Sequence, residues 1–139
     1  MYEHISTHPD VAPILHLVNS FEYKWAPQGY RIVDGREHPL ESTVHDLAGI
    51  PGGPWVFSMV IKLEQGDNIP PHCDKPLPVG VTRYHLVLQS NDMSYCMHDG
   101  DWQQLAAGGL YIMNPRLLHA AINWGNTPRI HLVVDTEDA

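Results

Sequence analysis

From Trp55 to Asp135 the sequence breaks into short apolar, β-branched stretches, each closed off by Gly, Pro, Asn or Asp. That punctuation limits the fold more than any other feature, because strands this short must share sheets to satisfy their backbone groups. The expected strands are Trp55 to Leu63 (after a Pro-Gly-Gly-Pro turn), Val79 to Gln89, Met93 to His98, Gly109 to Met113, His119 to Trp124 and Arg129 to Asp135. Weaker strand signals lie at Tyr30 to Asp34 and Ser42 to Asp46. Helical character is confined to Asp10 through about Ser20, where Pro13 sits in the first turn and Ile14, Leu15, Leu17 and Val18 form an apolar stripe. Many evenly spaced strands with one or two short N-terminal helices predict a mainly all-β double-layered jelly roll, a double-stranded β-helix. One domain over residues 1–139 is expected, with the helix and flanking strands in 1–53 and the core in 54–135.

Composition narrows the partners. The 139 residues carry 16 acidic against 8 basic side chains, a net charge of -8, so a phosphate-binding surface is not expected and neither is nucleic acid. No apolar run reaches the ~18 residues of a membrane span, and no secretory leader is visible at Met1-Tyr2-Glu3-His4. Two cysteines, Cys73 and Cys96, are too few for a disulfide framework and fit a reduced, cytoplasmic setting.

Against this background, Pro71-His72-Cys73-Asp74 stands out, together with His119. In extended backbone His72 and Asp74 point to one side and Cys73 to the other. A second imidazole at His119, opening another strand, completes two histidines and one carboxylate. That donor set suits a catalytic Fe(II) centre with open coordination positions. An isolated His-x-Asp is common by chance, and the pattern draws its weight from its companions. Arg129 follows His119 by ten residues. If Trp124 to Pro128 forms a hairpin turn, Arg129 lies opposite Ile122, roughly 10 Å along the strand from His119 at ~3.3 Å per residue. A dicarboxylate chelated at the metal would place its far end near that guanidinium, whose planar fork suits a carboxylate; the alternative is a surface ion pair. Arg83 and His85 share one face of an otherwise apolar strand, which is costly without an anion or a polar network to meet them.

Together these segments resemble the 2-oxoglutarate- and iron(II)-dependent oxygenases, and within them the aspartyl/asparaginyl β-hydroxylase branch, which includes free-proline hydroxylases. The resemblance covers about Trp55 to Asp135. It rests on Pro71-His72-Cys73-Asp74, Arg83-Tyr84-His85, Trp102 with Gly109-Leu110-Tyr111-Ile112-Met113, His119 and Arg129. It implies a cupin-like jelly roll in which His72, Asp74 and His119 hold Fe(II). Arg83 and His85 would hold the metal-proximal carboxylate of 2-oxoglutarate and Arg129 the distal one. The implied reaction is hydroxylation of an amino acid, a peptidyl side chain or another small molecule by dioxygen, with release of succinate and CO2. The β-hydroxylase that names the branch lacks the carboxylate ligand, whereas Asp74 is present here. A serine or threonine often supports the distal arginine, and Ser58 is the candidate.

Two other readings remain. Cupins that use no 2-oxoglutarate usually carry His-x-His and a glutamate a few residues on, and this chain has no glutamate between Glu64 and Glu137. A jelly roll that binds without chemistry would not need the full donor set. Trp55, Arg116, Asn123 and Trp124 flank the site segments and are candidate substrate contacts, packing being the alternative for both tryptophans. Cys73 is expected to pack behind the site, and residues 34–53 could form a lid.

Overall fold

The computed structural model describes residues 1–20, 30–31 and 39–139. In chain order the elements are β1 (Glu3–Thr7), α1 (Ala12–Asn19), β2 (Tyr30–Arg31), α2 (Pro39–Ala48), β3 (Trp55–Leu63), β4 (Asn68–His72), β5 (Val81–Gln89), β6 (Ser94–His98), β7 (Asp101–Gln103), β8 (Gly109–Ile112), β9 (His119–Asn123) and β10 (Arg129–Glu137). They form a six-stranded sheet ordered β1-β8-β5-β10-β3-β2 and a four-stranded sheet ordered β4-β9-β6-β7. This is the mainly β, two-layered architecture that the strand pattern predicts.

The larger sheet has two unlike faces. Side chains of β3, β5 and β10 alternate, and one set (Val60, Tyr84, Leu86, Leu88, Ile130, Leu132, Val134) packs with Ile14 and Val18 of α1 and Val44 and Ala48 of α2. The other set faces the smaller sheet, where Leu63, Val87, Tyr111 and Met113 meet Cys96 and Ala121. β10 lies between β5 and β3 and is buried from Arg129 to Thr136, so even its polar residues are enclosed. Full burial of a side chain the size of Leu or Ile contributes about 1.5–3 kcal/mol, so the helix-covered face holds most of the apolar stabilisation.

Several expectations need correction. Ser42 to Asp46 is not a strand but the middle of α2. Pro39 opens that helix, Val44 and Ala48 four residues apart face the core, and Gly49 at φ 60 stops it in the left-handed conformation. Residues 39–48 of the expected lid cover the outer sheet face, away from the gap between the sheets, and 34–38 lie outside the described residues. β2 occupies the start of the weak 30–34 signal, the rest of which is also outside them. The hairpin expected across Trp124 to Pro128 is a crossover: β9 pairs with β4 and β6, β10 with β3 and β5. Asn123, wholly buried, secures it, its amide Nδ2 donating to the carbonyls of Leu63 and Thr127. Asn123 is thus structural rather than a substrate contact. Among the described residues no helix is long and apolar enough to cross a membrane.

Candidate metal centre

β4 is an edge strand, which is where prolines lacking an N–H are tolerated. Its ladder to β9 breaks between Ile69 and His72, around Pro70 and Pro71, and resumes with His72 directly opposite His119. The Asp74 N–H donates to the Pro115 carbonyl at 2.8 Å, which ties the segment after β4 to the loop that delivers His119. His72, Asp74 and His119 therefore converge, with one donor atom from each within 4.8 Å of the others. His119 Nε2 lies 3.2 Å from Asp74 Oδ2, and His72 Nε2 lies 3.6 Å from Asp74 Oδ1.

Both imidazoles are oriented from behind. Nδ1 of His72 bonds the Pro70 carbonyl and Nδ1 of His119 bonds the Leu117 carbonyl, each at 2.8 Å. A carbonyl only accepts, so each Nδ1 carries a proton and Nε2 is the ring nitrogen turned toward the carboxylate, the atom through which a neutral ring would bind a metal. Burial, opposed by the bond to the Leu117 carbonyl, holds the His119 pKa below its usual value, favouring the neutral ring a metal needs. Donors 3.2 and 3.6 Å apart, with all three within 4.8 Å, suit a shared cation at ligand distances of ~2.1 Å, so the residues fit a divalent ion. His72 and Asp74 are 39% and 43% exposed at the side chain and His119 only 11%, leaving one side of the triad open.

On the facing sheet, the inward positions of β5 and β10 are polar. Arg83 Nε and Nη2 donate to Asp135 Oδ1 and Oδ2 at 2.7 and 2.8 Å, while Nη1 reaches toward Asp74 Oδ2 at 3.5 Å. Burial lowers the guanidinium pKa, but the Asp135 bond and charge outweigh it and the net shift is upward. His85 and His131 are buried with their Nδ1 atoms 3.1 Å apart, so one donates and the other accepts. Burial first, then the charge of Arg129, pushes both pKa values well below the usual histidine range. Arg129 lies opposite Leu63 rather than Ile122 and is 3% exposed. Its Nη2 crosses to the Cys96 thiol on β6 at 3.4 Å, and its Nη1 has no partner among the described residues. Cys96 sits opposite Ala121, two residues along β9 from His119, so the guanidinium lies about 7 Å along that strand from the triad.

Some candidates are not brought to the site. Ser58 pairs with Val134 and shares its helix-facing side, the face opposite Arg129, because it stands an odd number of residues from Leu63. Trp55 is buried in the helix-covered core, Trp124 and Arg116 are exposed, and Cys73 is exposed rather than packed behind the ligands. Sequence reading missed Asp135 and His131, although both lie at even spacing from Arg129 on one face of β10. It also missed His98, which stands opposite His119 on β6 with a buried Nδ1 that has no partner among the described residues.

The fold is a cupin-like jelly roll, and within it His72, Asp74 and His119 are grouped closely enough that they could hold one metal ion. A solved structure of a Cupin 2 conserved barrel domain protein from Salinispora arenicola CNS-205 superposes with a TM-score of 0.50 at 12% identity, covering 78% of this chain and 76% of that one. AviO1 from Streptomyces viridochromogenes Tue57 superposes with a TM-score of 0.69 at 12% identity, covering 99% and 89%. The profile of the aspartyl/asparaginyl beta-hydroxylase family matches residues 41–139, and the chain belongs to that family. The L-proline cis-4-hydroxylase of Rhizobium meliloti (strain 1021) is 28% identical over 82 residues, which make up 58% of this chain and 29% of that protein. The chain thus matches less than a third of that relative's length.

Proposed function

We propose that the protein is an Fe(II)- and 2-oxoglutarate-dependent dioxygenase that hydroxylates an amino acid, free or peptidyl, or a related small molecule. The observation that carries this reading is the convergence of His72, Asp74 and His119 on one point with an open side. Iron(II) held there supplies the coupling of 2-oxoglutarate decarboxylation by dioxygen to oxygen insertion into a substrate C–H bond, releasing succinate and CO2.

The chain's own residues bind and orient. Arg129 supplies a buried cation with an open Nη1 for the distal carboxylate, and its burial without a carboxylate partner among the described residues favours an anionic ligand. Arg83 is locked by Asp135 so that only Nη1 faces the triad, where it and His85 would hold the metal-proximal carboxylate. The family, and a relative named for proline hydroxylation, support an amino-acid substrate.

The test is anaerobic addition of Fe(II) and then 2-oxoglutarate, watching for the weak visible charge-transfer band of the chelate. The expected band needs both additions and is lost in His72→Ala. Folded protein that gives no band would overturn the assignment.

A further inference from the structure

β10 turns three polar side chains toward the smaller sheet, and His131 is the one to which the site described above gives no task. It stands opposite Val87 of β5, while His85 stands opposite Val133, so the two imidazoles are diagonal neighbours on one face. His131 is 1% exposed and ranks among the largest wholly buried side chains. A polar ring placed so deep destabilises the fold unless it is hydrogen-bonded.

Its partner is His85. The two Nδ1 atoms are 3.1 Å apart, the ring centroids 5.4 Å, and the ring planes stand at 89° to one another. Tyr2, 5% exposed in the core between the sheets, meets the His85 ring edge-on at 5.6 Å, so that ring is gripped by two others. A bond between two Nδ1 atoms of neutral rings can run either way, and its direction sets both tautomers. If His85 donates, its remaining nitrogen, Nε2, is a lone pair. If His131 donates, His85 Nε2 carries the proton. Burial and the charge of Arg129 keep both rings neutral, so neither serves as a double donor.

The charge of this face selects between the two. Its cations are Arg83, two strand positions from His85, and Arg129, two from His131, and the ligand that suits them is an anion. A carboxylate accepts and cannot donate, so it is repelled by a lone pair on His85 Nε2 and bound by an N–H there. We propose that His131 is a positioning residue: by donating from Nδ1 it holds His85 as the Nε2–H tautomer, the form that can donate to the metal-proximal carboxylate of the co-substrate. The inference deepens the oxygenase reading above and rests on it.

Two measurements test it. Ring-nitrogen NMR of isotope-labelled, Zn(II)-loaded protein with 2-oxoglutarate shows which nitrogens carry protons, the signals being assigned by their loss in His85→Asn and His131→Asn. The expected pattern is a bare Nδ1 and a protonated Nε2 on His85, with the reverse on His131; a protonated Nδ1 on His85 would overturn the proposal. The second is calorimetric titration of Mn(II)-loaded variants with 2-oxoglutarate and with pyruvate, which shares the 2-oxo acid end but has no distal carboxylate, melting temperatures confirming that each variant folds. His131→Leu should weaken both ligands equally, roughly three- to tenfold, less than outright loss of a hydrogen bond to a charged group because His85 can still visit the right tautomer. His131→Asn, whose amide N–H stands in for Nδ1–H, should recover most of that affinity. Full affinity in His131→Leu, weakening of 2-oxoglutarate alone, or His131→Asn no better than His131→Leu would each reduce His131 to packing and leave the oxygenase reading intact. Wild-type protein that binds Mn(II) but not 2-oxoglutarate would overturn that reading and this inference with it.

Discussion

Asp135→Leu removes the carboxylate that holds Arg83 in place. The side chains are 6% and 12% exposed and joined by two short bonds, so the change strands a guanidinium out of water. Breaking a buried pair from one side costs about 3–5 kcal/mol. Asp74 remains 3.5 Å from Nη1 and offsets part of that, which favours the lower end. For 139 residues the unfolding entropy near the midpoint is roughly 0.3 kcal/mol per degree, so a loss of about 3 kcal/mol lowers Tm by about 10 °C. Replacing both partners, Asp135→Leu with Arg83→Met, should recover most of that loss, since an apolar pair has nothing left to desolvate. A second effect follows at the metal: freed from Asp135, Arg83 competes for the carboxylate of Asp74, and divalent-metal affinity should fall about 10–100-fold. Thermal unfolding of the two variants by circular dichroism, with metal titration of the folded protein, reads both. A Tm drop below about 3 °C in Asp135→Leu, or a double variant as unstable as the single one, would refute the reasoning.

Two other perturbations probe different parts of the barrel. His85 and His131 have folded pKa values well below the ordinary histidine value of about 6.5, so below that pH the unfolded chain binds protons the folded one refuses. Stability should therefore be full above pH 7 and fall as the pH drops through 6.5 toward 5, by up to about 1.4 kcal/mol per pH unit for each histidine; urea midpoints that stay level across this window would count against two neutral buried rings. Gly125→Ala places a methyl group against the side-chain amide of Asn91, whose Nδ2 donates to Asn123 and Thr127. The expected cost is about 1–3 kcal/mol in urea unfolding with unchanged metal affinity, and a change under 0.5 kcal/mol would mean that the crossover relaxes freely.

What the sequence discloses depends on whether one local period carries the information. Six of the eight strands from Trp55 onward are legible because apolar residues bounded by Gly, Pro and Asn leave little else to form, and their observed boundaries fall within two residues of expectation; β4, interrupted by Pro70 and Pro71, and the three-residue β7 carry no such run. His72, Asp74 and His119 are legible because His-x-Asp puts two donors on one side of extended backbone. β1 is not legible, since Glu-His-Ile-Ser-Thr has no buried face to generate a pattern, and Tyr2 then looks like an ordinary terminal residue. α2 misleads because Ser42, Thr43 and Val44 suit a strand, while its apolar contacts, Val44 and Ala48, show only at a spacing of four. The turn before Arg129 misleads most, because turn chemistry states that the chain reverses, not which sheet receives the next strand.

That crossover changes what the interval between His119 and Arg129 means. β9 takes its register from β4 and β6, and β10 takes its own from β3 and β5, so the two residues are positioned by separate hydrogen-bond ladders. The five residues from Trp124 to Pro128 that join the strands are a strap, not a ruler. Adding a residue to the strap leaves the gap between triad and guanidinium where the ladders put it. A one-residue slip in either ladder turns Arg129 or His119 out of the barrel altogether. The reach of the site is thus graduated in whole steps along two independent scales.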